Sequence, residues 1–363
     1  MNDSQMNDSQ SENYQDPPVM AQVVEQRIPV QPVRRSSTFG CLILVFALFA
    51  LFGSVMLNVL LFGTANFGAM DRGDQVEERF YSHERKADKK IAIITVEGTI
   101  IDAEGFLKRQ VDRAGKDKAV KAIVLRVNSP GGTITASDYL YHRLNELREK
   151  SDIPIVVSMG GIAASGGYYI SMAVGDRKDT IFAEPTTWTG SIGVVIPHYD
   201  LSELLENWGI ENDSIASHRL KTMGSFAKPM TKEERDIFQK LVDSSFDRFK
   251  KVILSGRPKF RGNLSALDKL ATGQIFTADQ AKESGLIDQI GFIEDAIKRA
   301  IKLAGLDEKQ VRVVKYQPEP SLAAILFGRR SRAQGFDLST LLDMTSPRAF
   351  YLCTWLPAIA SSN

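Results

Sequence analysis

The chain has 363 residues, 43% hydrophobic and 25% charged, and its 45 basic and 44 acidic side chains leave a net charge of +1. That length can bury one large core or two modest ones, and the charge balance gives no electrostatic footprint for nucleic acid. Cys41 and Cys353 lie in unrelated contexts and the four histidines (His83, His142, His198, His218) lack metal-ligand spacing, so neither a disulfide framework nor a metal or other cofactor is expected.

Residues 1–36 are rich in Gln, Asn, Ser, Asp and Pro, with Met-Asn-Asp-Ser-Gln repeated at the start. Such a composition cannot bury enough apolar area to offset its ordering entropy, which predicts a disordered tail. Residues 37–65 are expected to form a transmembrane anchor, because the chain from Phe39 to Phe62 is almost wholly apolar and long enough to cross a bilayer as a helix. The run is too long and too far from the N-terminus for a cleaved signal peptide, and it lacks the polar face of a core helix. Arg34 and Arg35 precede it and no positive charge follows in 63–70, which predicts a cytoplasmic tail and a main body on the far side. The charged residues that follow, within 66–90, read as a solvated linker or helical stalk.

Past Lys90 the pattern changes to short apolar runs alternating with amphipathic ones. Strands are expected at 91–96, 122–127, 155–159, 180–183 and 192–196, and helices at 104–114, 136–148 and 165–174. Alternation of this kind predicts an α/β domain with a largely parallel sheet, here over 91–317. A longer helix is expected over 231–254, capped by Thr231 with Glu234 as its capping-box partner, and another after Thr277 that stops at Gly285. From 318 to 363 the order is lost: Pro318, Pro320 and an Arg329-Arg330 pair precede an apolar end containing Phe350, Tyr351 and Trp355. That end reads as a tail packing on the core or membrane surface.

Ser165 lies in the run Gly160-Gly161-Ile162-Ala163-Ala164-Ser165-Gly166-Gly167-Tyr168-Tyr169, directly after an apolar strand. A serine at a strand-to-helix turn has its oxygen lifted clear of the backbone, near free N–H groups that favour developing negative charge. A second glycine turn, Asn128-Ser129-Pro130-Gly131-Gly132-Thr133, closes the preceding strand. Pro130 restricts Ser129 to an extended conformation and the paired glycines permit close backbone approach, which suits an oxyanion hole. A serine nucleophile also needs a base, and no histidine follows within the next strand; His198, His218 and Lys221 remain candidates.

With Thr189-Gly190-Ser191-Ile192-Gly193-Val194 and Ala281-Lys282-Glu283-Ser284-Gly285-Leu286-Ile287-Asp288 added to these motifs, the chain resembles the signal peptide peptidase A family of membrane-anchored bacterial serine peptidases over about 91–303. The resemblance implies a Clp-protease or crotonase-like fold of repeated ββα units and a Ser-Lys dyad with Ser165 as nucleophile and Lys221 as base. It also implies that Ser191 holds the lysine amine and that the Gly132 and Gly166 N–H groups form the oxyanion hole. A ring-shaped homo-oligomer sharing the dyad between subunits is implied, as are location in the bacterial inner membrane and remnant signal peptides as substrates. For the apolar end the resemblance adds a second reading, in which Phe350 to Trp355 enters the active site as an autoinhibitory or self-processed peptide. Gly175-Asp176-Arg177-Lys178 reads as an insertion between the nucleophile helix and the next strand. Competing expectations are a catalytically silent membrane scaffold that binds peptides on the same fold, and acyl-CoA chemistry, which leaves Ser165, Ser191 and Lys221 without a purpose.

Overall fold

The computed structural model describes residues 38–69, 76–102, 104–319 and 350–352; side chains are described only from 42 to 58 in the first helix and not at all in 350–352. The expected N-terminal tail and most of the C-terminal tail lie outside these residues. The chain separates into two compact units at residues 66 and 67.

The described part of the first unit belongs to the helix α1, Thr38–Ala69, which has no acidic residue in its first turn and no basic one in its last. Its described apolar side chains are exposed, among them Phe46, Phe49 and Phe52. Among the described residues no helix is long and apolar enough to cross a membrane.

The second unit is built from β1 (Val76–His83), β2 (Lys89–Glu97), α2 (Phe106–Lys116), β3 (Val120–Ser129), β4 (Gly131–Thr133), α3 (Ile134–Ser151), β5 (Ile155–Ala164) and α4 (Gly166–Ser171). There follow β6 (Ile181–Ala183), β7 (Trp188–Gly190), α5 (Ser202–Asn207), α6 (Lys232–Gly256), α7 (Leu264–Leu270), β8 (Ile275–Thr277) and α8 (Ala278–Ser284). The last elements are β9 (Gln289–Ile290), α9 (Ile293–Leu303), β10 (Val311–Pro318) and β11 (Phe350–Leu352). The main sheet runs β1-β10-β2-β3-β5-β6-β9, with β7 joining β5 to β8. From β10 to β9 neighbouring strands are parallel, whereas β1 is an antiparallel edge.

Parallel strands covered on both faces need apolar residues at consecutive positions, as the runs in β2, β3 and β5 provide. Alternate residues separate cleanly. Ala92, Ile94, Ile123 and Leu125 pack beneath α2, α3, α4 and α6, while Ile91, Ile93, Ala122 and Val124 meet Ala296, Ile297 and Ala300 of α9. The result is a three-layer α/β domain. Its ββα repeat is visible twice: β3 and the short β4 lead into α3, and β5 divides into two pairing segments before α4. The first segment pairs with β6 at 157–159 and the second with β7 at 162–164.

Two expectations are corrected. The region read as a linker or stalk contains β1, whose apolar and polar positions pair with β10 from Val76 opposite Pro318 to His83 opposite Arg312. Its charges misled the reading: Glu78 forms an ion pair with the buried Lys90. The strand expected at 192–196 is absent, because Gly190 and Ser191 both take positive φ and turn the chain away from the sheet. The insertion at 175–178 is a surface turn, tied down by Asp176 to Arg261 and Arg177 to Asp152.

Candidate active site

Ser165 connects the end of β5 to the start of α4 at φ 54° and ψ −115°. A non-glycine residue persists there only when its surroundings over-determine it. Its N–H donates to the Gly190 carbonyl at 2.8 Å and its carbonyl accepts from the Tyr169 N–H at 2.8 Å. The side chain is different: Ser165 is 1% exposed and its Oγ has no hydrogen-bond partner among the described residues. A buried hydroxyl left unbonded calls for an explanation, and a reacting group is one.

Ala164 and Gly190 are register partners on parallel strands, so Ser165 and Ser191 are the residues that follow at the two adjacent strand ends. Ser191 also has positive φ, 49°, and its N–H donates to the Gln274 carbonyl at 2.7 Å. At Gly190, φ 85°, a Cβ would lie 2.5 Å from the Phe276 ring, so only glycine fits the turn.

The glycine turn after β3 completes the setting. Gly131, φ 105°, donates its N–H to Ser129 Oγ at 3.1 Å. A Cβ on Gly132 would meet the Ile100 carbonyl oxygen at 1.9 Å, and one on Gly166 would lie 3.1 Å from Gly132 N. The two glycines are therefore side by side next to Ser165. As the first helical residue of α4, Gly166 has an N–H without an intrahelical acceptor. The helix is held by its tyrosines: Tyr168 donates to the Leu286 carbonyl at 2.8 Å, and Tyr169 donates to Asp138, which also pairs with Arg248 at 2.9 Å. Burial pushes the Tyr168 phenol far above its usual range, so it stays a neutral donor.

The strand β11 lies antiparallel on β4, with Phe350 opposite Thr133, Tyr351 opposite Gly132 and Leu352 opposite Gly131. The Ile100 N–H donates to the Gly131 carbonyl and the Thr133 N–H to the Ile100 carbonyl, so these two groups point away from β11. Backbone groups alternate sides along a strand. Gly132 and Tyr351 are then the pair whose N–H and C=O groups face one another, which puts the Tyr351 carbonyl at the Gly132 N–H.

The profile of peptidase family S49 matches residues 147–307, and that of Clp protease matches 89–188. A putative signal peptide peptidase SppA of Enterococcus faecium is 36% identical over 270 residues, covering 71% of this chain and 76% of that protein. A putative protease of Synechocystis is 37% identical over 248 residues, covering 68% of this chain and 86% of that one. The chain belongs to peptidase family S49. Protease 4 of Haemophilus influenzae is 36% identical over 222 residues, 59% of this chain but only 35% of that longer protein.

In this S49 chain none of the candidate bases is hydrogen-bonded to the nucleophile. Lys221 lies in a 3-10 turn, Arg219–Thr222, and is exposed; its N–H donates to the His218 carbonyl at 2.9 Å. His218 caps that turn, its Nδ1 accepting from the Leu220 N–H at 3.2 Å. His198 Nε2 is 3.4 Å from the Ser225 carbonyl oxygen. Since Ser165 Oγ has no partner, neither Lys221 nor a histidine is bonded to it within the chain. The structure thus gathers Ser165, Ser191, Gly132 and Gly166 and leaves Lys221 on an exposed arm. Asp288, in the motif that ends α8, fastens the start of β6: its Oδ2 accepts from the Thr180 and Ile181 N–H groups and its Oδ1 pairs with buried Arg257 at 2.7 Å.

Proposed function

We propose that this S49 peptidase is a membrane-anchored serine endopeptidase acting through Ser165 and a Lys221 supplied by a second copy of the chain. The observation that carries this reading is the unbonded, buried Ser165 Oγ at a strained turn beside Gly132 and Gly166. In the reaction, Lys221 Nζ takes the Ser165 proton as Oγ attacks the scissile carbonyl. The Gly132 and Gly166 N–H groups receive the oxyanion, the Lys221 ammonium then protonates the leaving amine, and water releases the acyl group by the same route in reverse. Ser191 Oγ orients the lysine amine.

The shared site is favoured by the arm that carries Lys221. Between β7 and α6 it displays Tyr199, Trp208 (70% exposed) and Ile215 (100% exposed), an apolar surface suited to burial against another copy. Anchoring is favoured by the sequence alone, whose run from Phe39 to Phe62 is almost wholly apolar and of the length that spans a hydrocarbon core of about 30 Å. With the N-terminus cytoplasmic, the catalytic unit works on the outer face of a bacterial inner membrane. Extended peptides, including remnant signal peptides, are the substrates, because β4 offers a strand edge for antiparallel pairing.

The same register makes the chain's own tail an internal substrate, with cleavage between Tyr351 and Leu352. The test of the whole reading is labelling of the full-length protein in detergent with a fluorophosphonate between neutral and alkaline pH. Wild type should be labelled and Ser165→Ala should not; an unlabelled wild type would leave the silent-scaffold reading in its place.

A further inference from the structure

Between its two pairing segments β5 departs from β3. Val127 pairs with Met159 and Ser129 with Ala163, so β3 advances by two residues where β5 advances by four. The extra residues include Gly160 and Gly161, the most conformationally free residues available. A bulge of this size removes backbone groups from the ladder and leaves the strand free to slide. Sliding by one residue would turn Ser165 to the opposite face.

Three side chains replace the missing ladder. Asn128 Oδ1 accepts from the Ile162 N–H at 3.2 Å, while the Asn128 carbonyl is committed to the Gly98 N–H on the other side. Thr187 Oγ1 donates to the Gly160 carbonyl at 2.6 Å, and Thr189 Oγ1 donates to the Ala163 carbonyl at 2.6 Å. Both threonines are fully buried. A Cβ on Gly160 would lie 3.0 Å from the Arg126 guanidinium, which would have to give way by a few tenths of an ångström.

Ala163 has a particular place in this arrangement. It is the register partner of Ser129, which leads into the Gly131-Gly132 turn, and of Thr189, which leads into Ser191. Two residues later comes Ser165. The strand bearing the nucleophile is therefore fastened at one point to the strands bearing the oxyanion glycine and the lysine-holding serine.

We infer that Asn128, Thr187 and Thr189 are positioning residues that clamp the β5 bulge and so fix Ser165 Oγ relative to the Gly132 N–H. The inference rests on the serine-peptidase reading above. Its mark is a loss in the chemical step with binding preserved, since peptide pairs with the β4 backbone, which the clamp does not touch.

The test compares Thr189→Val, Thr189→Ser, Asn128→Ala and Asn128→Asp in the full-length protein, by fluorophosphonate labelling rate, by kcat and KM on a peptide, and by melting temperature. Thr189→Val keeps the side-chain shape and loses the donor; Thr189→Ser keeps the donor, and Asn128→Asp keeps the acceptor. Thr189→Val and Asn128→Ala should lower labelling and kcat by about tenfold or more, as a misplaced reacting group does, with KM within about twofold. Thr189→Ser and Asn128→Asp should restore most of the rate. Unchanged labelling in the two deletions, or no recovery in the two conservative variants, overturns the inference. If Thr189→Val, at a buried position, does not fold, the two variants of the exposed Asn128 decide the matter. An unlabelled wild type is a failure of the peptidase reading and not of the clamp.

Discussion

At Gly132 a methyl group would be 1.9 Å from the Ile100 carbonyl oxygen, a backbone atom that cannot swing aside. Gly132→Ala should therefore displace the turn and its N–H, lowering kcat by about 100-fold or more, the scale of losing one oxyanion donor. Steady-state kinetics on a peptide substrate would check this. The candidate bases separate as sharply. Lys221→Ala should abolish nearly all turnover, whereas His218→Ala removes only the cap of a short turn and should retain most of it. Exchange of these two outcomes would make His218 the base.

Among the elements, the parallel strands β2, β3, β5 and β6 and the helix caps follow from local chemistry and were readable in the chain. Thr231 and Glu234 form the expected capping box, as do Thr277 and Gln280, and Gly285 ends α8 in the left-handed conformation. Beyond the sequence's reach were β1, whose charges are paired across strands, and the bulge in β5, whose glycines look like any flexible turn. The positive φ of Ser165 and Ser191 was equally hidden, because those angles are imposed by partners distant in sequence. One such partnership is testable as stability. Lys90 is 7% exposed and pairs with Glu78 at 2.7 Å and Asp117 at 2.8 Å. Burial pushes the Asp117 carboxyl up, but the Lys90 hydrogen bond and the Ala119 N–H outweigh it and hold it below its ordinary value. A carboxyl lowered on folding contributes stability above its unfolded value of about 3.9, lost as pH falls through the folded one. Lys90→Met should thus cost on the order of 3 kcal/mol at neutral pH. The gap from wild type, followed by urea unfolding, should shrink as pH falls from about 5 to 3.

For the whole molecule, a site shared between copies has a direct signature. Ser165→Ala and Lys221→Ala chains should each be inactive alone, yet mixed one to one during assembly they should regain about a quarter of wild-type turnover, since half the chains bring the serine and half the lysine. No recovery would place both groups in one chain. Trp208→Asp or Ile215→Asp should break assembly and activity together, read by native mass. The tail has its own readout: wild type should end at Tyr351 by mass, while Ser165→Ala keeps the full C-terminus.

The pairing of β11 with β4 also sets the terms on which any outside peptide reaches this groove. A strand on the same chain meets its site at an effective concentration on the order of millimolar, whatever the concentration of enzyme. An incoming peptide must outcompete that tethered rival, so freshly made enzyme should show a lag before steady turnover. The length of the lag will be independent of enzyme concentration if each tail is cut in the assembly where it already sits.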